Sequence, residues 1–143
     1  MRYGFSLIEI AVALAVMALV GAIAVPRAAA WLDQYAAVSE ARAIAGAHNR
    51  ARVLATVRHR AAVLQITPDS LRIGLITGPD TVFAWRTSGP ASRRVALTPS
   101  FREIRFSPLG ITWGFSNATF TLTRGSARHR VIVSRLGRVR LAP

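Results

Sequence analysis

The sequence predicts an α+β protein in which a long N-terminal helix, transmembrane in its first half, packs on a C-terminal antiparallel β-sheet or small β-sandwich. Three observations lead to this fold class. Residues 10–25 are sixteen consecutive uncharged residues, residues 27–58 are rich in alanine and contain no proline, and the rest of the chain divides into short strand-like segments. These patterns are typical of a membrane helix, a packed surface helix and a set of strands.

The first element is an apolar segment over residues 5–26, in which Glu9 is the single charged residue. About 20 apolar residues cross a bilayer as a helix, so the segment is long enough to do so. Pro26 and Arg27 close it. Three interpretations fit: a cleaved secretory signal, a plain membrane anchor, or an anchor with special processing. Small residues up to Ala30 would permit signal cleavage, but a charge inside the apolar core is atypical of a signal.

The second element is a continuation of the helix through residues 27–58, where apolar residues recur at helical spacing between Glu, Gln and Arg. The spacing predicts an amphipathic segment with one face packed on its own domain. We expect the whole helix to run from Phe5 to Val57. Its packed face is predicted to contain Trp31, Tyr35, Val38, Ala41, Ile44, Ala47, Ala51, Leu54 and Val57.

The remaining residues, 59–143, are predicted to form an antiparallel β-rich head. Their segments are short, rich in β-branched or aromatic residues, and separated by turn residues such as Gly78-Pro79-Asp80. Seven or eight strands at about ten-residue spacing indicate a sheet or small sandwich. The predicted strands are Ala61–Thr67, Leu71–Ile76, Thr81–Arg86, Arg93–Leu97, Phe101–Phe106, Ala118–Thr123, Arg130–Arg135 and Val139–Leu141.

Composition and motifs exclude several classes of function. The chain has no cysteine, which excludes disulfides, thiol catalysis and cysteine–zinc sites. His48 and His59 lie roughly 16 Å apart along a helix axis, which is too far to share a metal ion. No hydrolase, metalloprotease or phosphate-loop motif is present. We therefore predict a protein that is not an enzyme, holds no metal and requires no cofactor.

The N-terminal residues Gly4-Phe5-Ser6-Leu7-Ile8-Glu9 resemble the processing site of type IV pilins and type II secretion pseudopilins. The resemblance implies that a prepilin peptidase removes a leader, residues 1–4, by cutting between Gly4 and Phe5, and methylates Phe5. It also implies that Glu9 serves assembly and that Pro26 kinks the helix. A lone carboxylate in lipid requires a cation, which the Phe5 amine of a neighbouring subunit can supply.

The C-terminal half extends the resemblance. Residues 104–110, 118–122 and 130–140 are similar to the C-terminal pattern of the GspH/FimT group, which comprises minor pseudopilins of type II secretion and minor pilins of type IV pili. The resemblance implies a pilin-like fold, a single inner-membrane span, a periplasmic helix over 27–58 and a periplasmic head. It further implies a minor pseudopilin that works with other minor and major pilins in a pseudopilus and supports export of secreted substrates.

The basic tail supports an alternative function. The chain carries a net charge of +13, every basic residue is arginine, and no acid lies between residues 124 and 140. The ending Gly137-Arg138-Val139-Arg140 is similar to that of DNA-binding FimT-type minor pilins of natural transformation. Double-stranded DNA would then contact Arg128, Arg130, Arg135, Arg138 and Arg140. A genome-wide preference for arginine, anionic lipid headgroups or an acidic pilin neighbour explains the same residues, and these alternatives stay open.

Overall fold

The computed structural model describes residues 6–114, 117–134 and 136–143. One helix, α1 (Leu7–Arg58), is followed by nine strands within these residues. The chain divides into two compact units, Met1–Leu32 and Asp33–Pro143. The strands are β1 (Ala62–Ile66), β2 (Ser70–Thr77), β3 (Asp80–Ser88), β4 (Ala96–Pro99), β5 (Glu103–Phe106), β6 (Thr112–Trp113), β7 (Asn117–Arg124), β8 (Ala127–Ser134) and β9 (Val139–Ala142).

The first unit consists of the apolar start of α1. From Ser6 to Leu32 every described residue is exposed except Gly21, which is half-buried. Ser6 caps the helix, because its hydroxyl and its backbone carbonyl both accept hydrogen bonds from the Glu9 backbone N–H, at 3.2 and 3.1 Å. The predicted first residue, Phe5, lies outside the described residues.

In the second unit, α1 buries a face made mostly of small side chains. The predicted positions Ala41, Ile44, Ala47 and Ala51 are buried. Tyr35 and Val57, which the spacing placed on the same face, are 67% and 66% exposed, and Trp31 of the first unit is 80% exposed, so this part of the prediction is wrong. Small side chains let a helix backbone approach a sheet closely, and the bulky ones turn outward. The buried helix residues are Ala36, Ala37, Glu40, Ala41, Ile44, Ala47, His48, Ala51 and Ala55.

The strands form two antiparallel sheets. Sheet A has the order β3-β2-β1-β5-β6 and sheet B the order β4-β7-β8-β9. Alternate residues of the strands enter one core together with the buried face of α1; among them are Leu64, Ile104, Phe120 and Val131. The predicted fold class, a long helix packed on antiparallel sheet, is confirmed.

Two short elements differ from the prediction. The predicted strand Arg93–Leu97 is displaced, because a 3-10 turn occupies Pro90–Arg93 and Arg94 takes a left-handed conformation with φ 56° before β4 begins. Strand β6 was not predicted at all. It is only two residues long and its Trp113 is 58% exposed, so it carries little of the apolar pattern from which strands are predicted.

Candidate functional site

The apolar start of α1 is not covered by any described residue of its own unit. Its most apolar 18-residue window has a mean hydropathy of 2.6, and none of that window is buried. By length and composition it is the one described helix that could cross a membrane. Exposed apolar surface on this scale requires lipid or other helices to cover it.

Glu9 stands at the beginning of this surface. Its backbone N–H is capped by Ser6, so the pair forms the Ser-x-x-Glu pattern of a helix start. No cation of the described residues lies within ion-pair distance of its carboxylate. The side chains beside it are Ile10, Ala13 and Leu14. The pattern from Ser6 to Glu9 was visible in the sequence, but the capping role of Ser6 was not predicted.

In sheet B, three of the predicted arginines share the outer surface, which we call the arginine face: Arg128, Arg130 and Arg140. Arg128 and Arg130 occupy outward positions of β8, which alternate with core-facing positions such as Ala127 and Val131. Arg140 lies in β9 and pairs with Ile132, which occupies the next outward position of β8. Directly opposite residues of antiparallel strands point to the same side. All three arginines are exposed.

Threonines complete the arginine face, and no described acid belongs to it. Thr121 and Thr123 of β7 stand opposite Arg130 and Arg128. Three of the six acids of the chain pair with other arginines: Asp33 with Arg124 at 2.8 Å, Glu40 with Arg93 at 3.2 Å and Glu103 with Arg105 at 3.4 Å. An unneutralised row of guanidinium groups next to hydroxyls can bind anions, phosphates among them.

Arg138 lies apart from the arginine face. It precedes β9 and lines a cavity of about 700 Å³, which we call the terminal cleft, together with Asn49 and Arg52 of α1. The tail residues Ser134, Leu136, Gly137 and Val139 complete the lining. Asn49 and Arg52 were not predicted as site residues, because only the fold brings the helix next to the β8–β9 turn. Arg135, Gly4 and Phe5 are predicted site residues that lie outside the described residues.

Two buried polar side chains of α1 face the core of the second unit. Burial raises the pKa of Glu40, and the charge of Arg93 opposes this shift. Burial lowers the pKa of His48, whose ring contacts Phe106 edge-on at 4.9 Å between centroids. Among the described residues no three His, Asp or Glu side chains come together as a metal site.

Comparison with protein families finds two matching models. Residues 40–137, more than half of the chain, match the family described as type II transport protein GspH. Residues 1–25 match the prokaryotic N-terminal methylation motif. A comparison with curated proteins finds no match.

Two solved structures of one protein share the fold. They are crystal forms of the type IV minor pilin FimU from Pseudomonas aeruginosa PAO1, each 18% identical to this chain. The first has a TM-score of 0.65 and covers 75% of this chain and 88% of its own. The second has a TM-score of 0.61 and covers 73% of this chain and 91% of its own. At this identity the similarity concerns the fold.

Proposed function

Because the chain belongs to the GspH family of type II transport proteins and is a GspH/FimT-like pilin, we propose that it is a minor pseudopilin of the type II secretion system. In this proposal the N-terminal helix assembles into a periplasmic pseudopilus that supports protein export. The observation that carries it is the fully exposed apolar start of α1, which bears one acid at its first turn. A lone domain gains nothing from such a helix, whereas a fibre subunit buries it against like helices.

The proposal includes processing. The prepilin peptidase cleaves between Gly4 and Phe5 in the inner membrane and methylates the new amine of Phe5. Glu9 then pairs with the Phe5 amine of a neighbouring subunit, because a carboxylate removed from water requires a cation. Pro26, which lies inside α1, lacks a backbone N–H and bends the helix. The membrane, the peptidase and other minor and major pilins are the partners.

Mass spectrometry of the chain purified from native membranes tests the processing. We expect a mature N-terminus at Phe5 carrying one extra methyl group. A Gly4→Leu variant should accumulate as a full-length precursor in the membrane, and Ser6→Ala, which leaves the cleaved bond unchanged, should be processed normally. A native chain that begins at Met1 or at Trp31 would contradict the proposal.

Deletion of the gene in its native host tests the export function. We expect loss of type II secretion substrates from the medium, with pilus-dependent motility and DNA uptake unchanged. The wild-type gene should restore export, and a copy with Gly4→Leu should not. Intact export in the deletion strain would contradict the role in type II secretion and favour a role in a type IV pilus.

The arginine face favours a second candidate function, a FimT-like minor pilin that binds DNA for natural transformation. Its three guanidinium groups are exposed and lie on one sheet surface without a described acid among them. Arg130 also donates a hydrogen bond to the Pro143 backbone oxygen at 3.3 Å, which holds its side chain near the end of β9. Contacts of this kind neutralise phosphates, so binding falls steeply with salt.

A gel shift with the full chain in detergent and a short DNA duplex tests this candidate. Arg128→Gln, Arg130→Gln and Arg140→Gln should each weaken binding regardless of DNA sequence and make its salt dependence shallower. Arg86→Gln in β3 of sheet A is the matched control, since it removes one exposed arginine elsewhere. Equal losses in all four variants would show attraction by net charge instead of by this surface.

A further inference from the structure

We propose that the terminal cleft binds a carboxylate group of another protein chain, together with an apolar side chain next to that carboxylate. The proposal does not depend on whether the protein serves export or a pilus. It rests on the two arginines, the amide and the apolar rim that the fold brings together at this end of the second unit.

The cleft is formed where α1 passes the β8–β9 turn. Asn49 and Arg52 are one turn or less apart on the helix, so their side chains are neighbours. Arg138 reaches the same cavity from the sheet side. A volume of about 700 Å³ is within the range of pockets that bind small ligands or a few residues of a peptide.

The two arginines of the cleft are uncompensated. The ion pairs of the described residues involve Arg93, Arg105 and Arg124, and neither Arg52 nor Arg138 is among them. The hydroxyl of Ser134 accepts a hydrogen bond from the Arg138 backbone N–H at 3.1 Å, which orders the turn that carries this side chain. Two guanidinium groups beside an amide match the oxygen atoms of a carboxylate.

The rim of the cleft is apolar. Leu136 is 79% exposed and lines the cleft, and Leu109 is equally exposed in the β5–β6 turn. The β8–β9 turn lies next to the β5–β6 turn, because a Cβ atom added at Gly137 would be 3.5 Å from the Thr112 side chain and 3.9 Å from the Gly110 carbonyl oxygen. Both glycines have positive φ, at 75° and 76°. The exposed Leu136 beside the two arginines favours a ligand with an apolar group next to its charge.

This chemistry favours a protein ligand over nucleic acid. A duplex presents phosphates along an extended surface, which suits the arginine face of sheet B, whereas the terminal cleft is concave and lined on one side by Leu136 and Val139. Leucine side chains offer nothing to a phosphate backbone, but they cover the apolar side chain of a peptide.

Titration of labelled peptides against the full chain in detergent tests the proposal by fluorescence anisotropy. One peptide ends in two leucines with a free carboxylate, the second is its C-terminal amide, and the third has blocked ends and an internal glutamate between leucines. We expect the amide to bind at least tenfold more weakly than the better of the other two. Whichever acid binds better identifies the source of the carboxylate, a chain end or a side chain.

Variants locate the binding. Arg52→Gln and Arg138→Gln should each weaken the preferred peptide by about tenfold or more, since each removes a charge-assisted hydrogen bond. Arg128→Gln, on the arginine face, is the matched control and should leave binding unchanged. Equal binding of acid and amide, equal losses in all three variants, or displacement of the peptide by a short DNA duplex would each overturn the proposal.

Discussion

At the scale of single residues, His48 is a buried histidine without an evident functional partner. It is fully buried, and neither ring nitrogen makes a hydrogen bond to a described group. Burial and the charge of Arg52 lower its pKa, and the nearby Asn49 side chain opposes them. The folded chain therefore holds the neutral ring, whereas the unfolded chain takes up a proton below pH 6.5, so this residue reduces stability as the pH falls.

We expect His48→Leu to stabilise the second unit by about 1 kcal/mol at pH 7.5, because it removes two buried polar atoms without partners. The gain should be larger at pH 5.5. At that pH protonation of His48 stabilises the unfolded wild-type chain, and the leucine variant has no histidine there to protonate. Chemical unfolding of the full chain in detergent, followed by near-ultraviolet circular dichroism, measures both values. His59→Gln, at the exposed position that directly follows this helix, is the control and should change neither value.

Glu40, a buried carboxylate of α1, forms an ion pair with Arg93. Glu40 is 5% exposed, and Arg93 contacts it through Nε while its Nη1 donates a hydrogen bond to the Ser39 hydroxyl at 2.6 Å. Loss of the arginine leaves a buried carboxylate without a cation. We expect Arg93→Gln to destabilise the second unit by about 1–3 kcal/mol at pH 7.5, less than for a fully buried pair because the arginine is half-exposed.

The destabilisation by Arg93→Gln should shrink at pH 5, because a protonated Glu40 needs no cation. The same unfolding measurement at the two pH values checks this. The double change Glu40→Gln with Arg93→Gln should recover part of the loss at pH 7.5. Arg94→Gln alters the adjacent exposed arginine and should have little effect. A loss that is independent of pH would show that Arg93 acts through packing instead of charge.

At the scale of elements, the face that α1 presents to the sheets consists largely of alanines. Ala51 and Ala55 are fully buried in the core, and close-packed protein interiors have few voids that accommodate a larger side chain. We expect Ala51→Leu to destabilise the second unit by about 1–3 kcal/mol through overpacking. Ala43→Leu, on the exposed side of the same helix, should change stability by less than about 0.5 kcal/mol. Equal effects in thermal unfolding would contradict close packing of this face.

The elements were largely predictable, and the failures have physical causes. The apolar run, the alanine-rich helix and most strands follow from periodicity and turn residues. The division into two sheets did not, because it depends on β1 pairing with β5 and β4 pairing with β7 across long stretches of sequence. The packed face of α1 was partly mispredicted because hydrophobicity favours large residues, whereas close approach to the sheet favours small ones.

At the scale of the whole molecule, a candidate site within one element could be predicted, whereas a site built from several elements could not. Because residues two apart share a face of a strand, the spacing of Arg128 and Arg130 alone is enough to place them together. The terminal cleft could not be predicted, because Arg52 and Arg138 are far apart in sequence and meet only through the fold. Local spacing therefore predicts surfaces within one element, and tertiary structure is needed for sites built from several.

In our proposal, assembly of the protein with other pilins depends on the carboxylate of Glu9. We expect Glu9→Ala to insert into membranes at least as well as the wild type, because it removes the acid of the apolar helix. Its recovery with other pilins, measured by crosslinking in native membranes, should fall about tenfold because the intersubunit ion pair is lost.

Ser6→Ala separates this role of Glu9 from helix capping. It removes the cap, at a cost of about 1 kcal/mol to the helix start, but keeps the carboxylate. Because the ion pair remains available, Ser6→Ala should be recovered with other pilins within about twofold of the wild type. If both variants lost assembly equally, Glu9 would act by starting the helix instead of by pairing with a neighbour. Normal assembly of Glu9→Ala would refute the pairing role, since this variant loses only the carboxylate and keeps the backbone N–H that Ser6 caps.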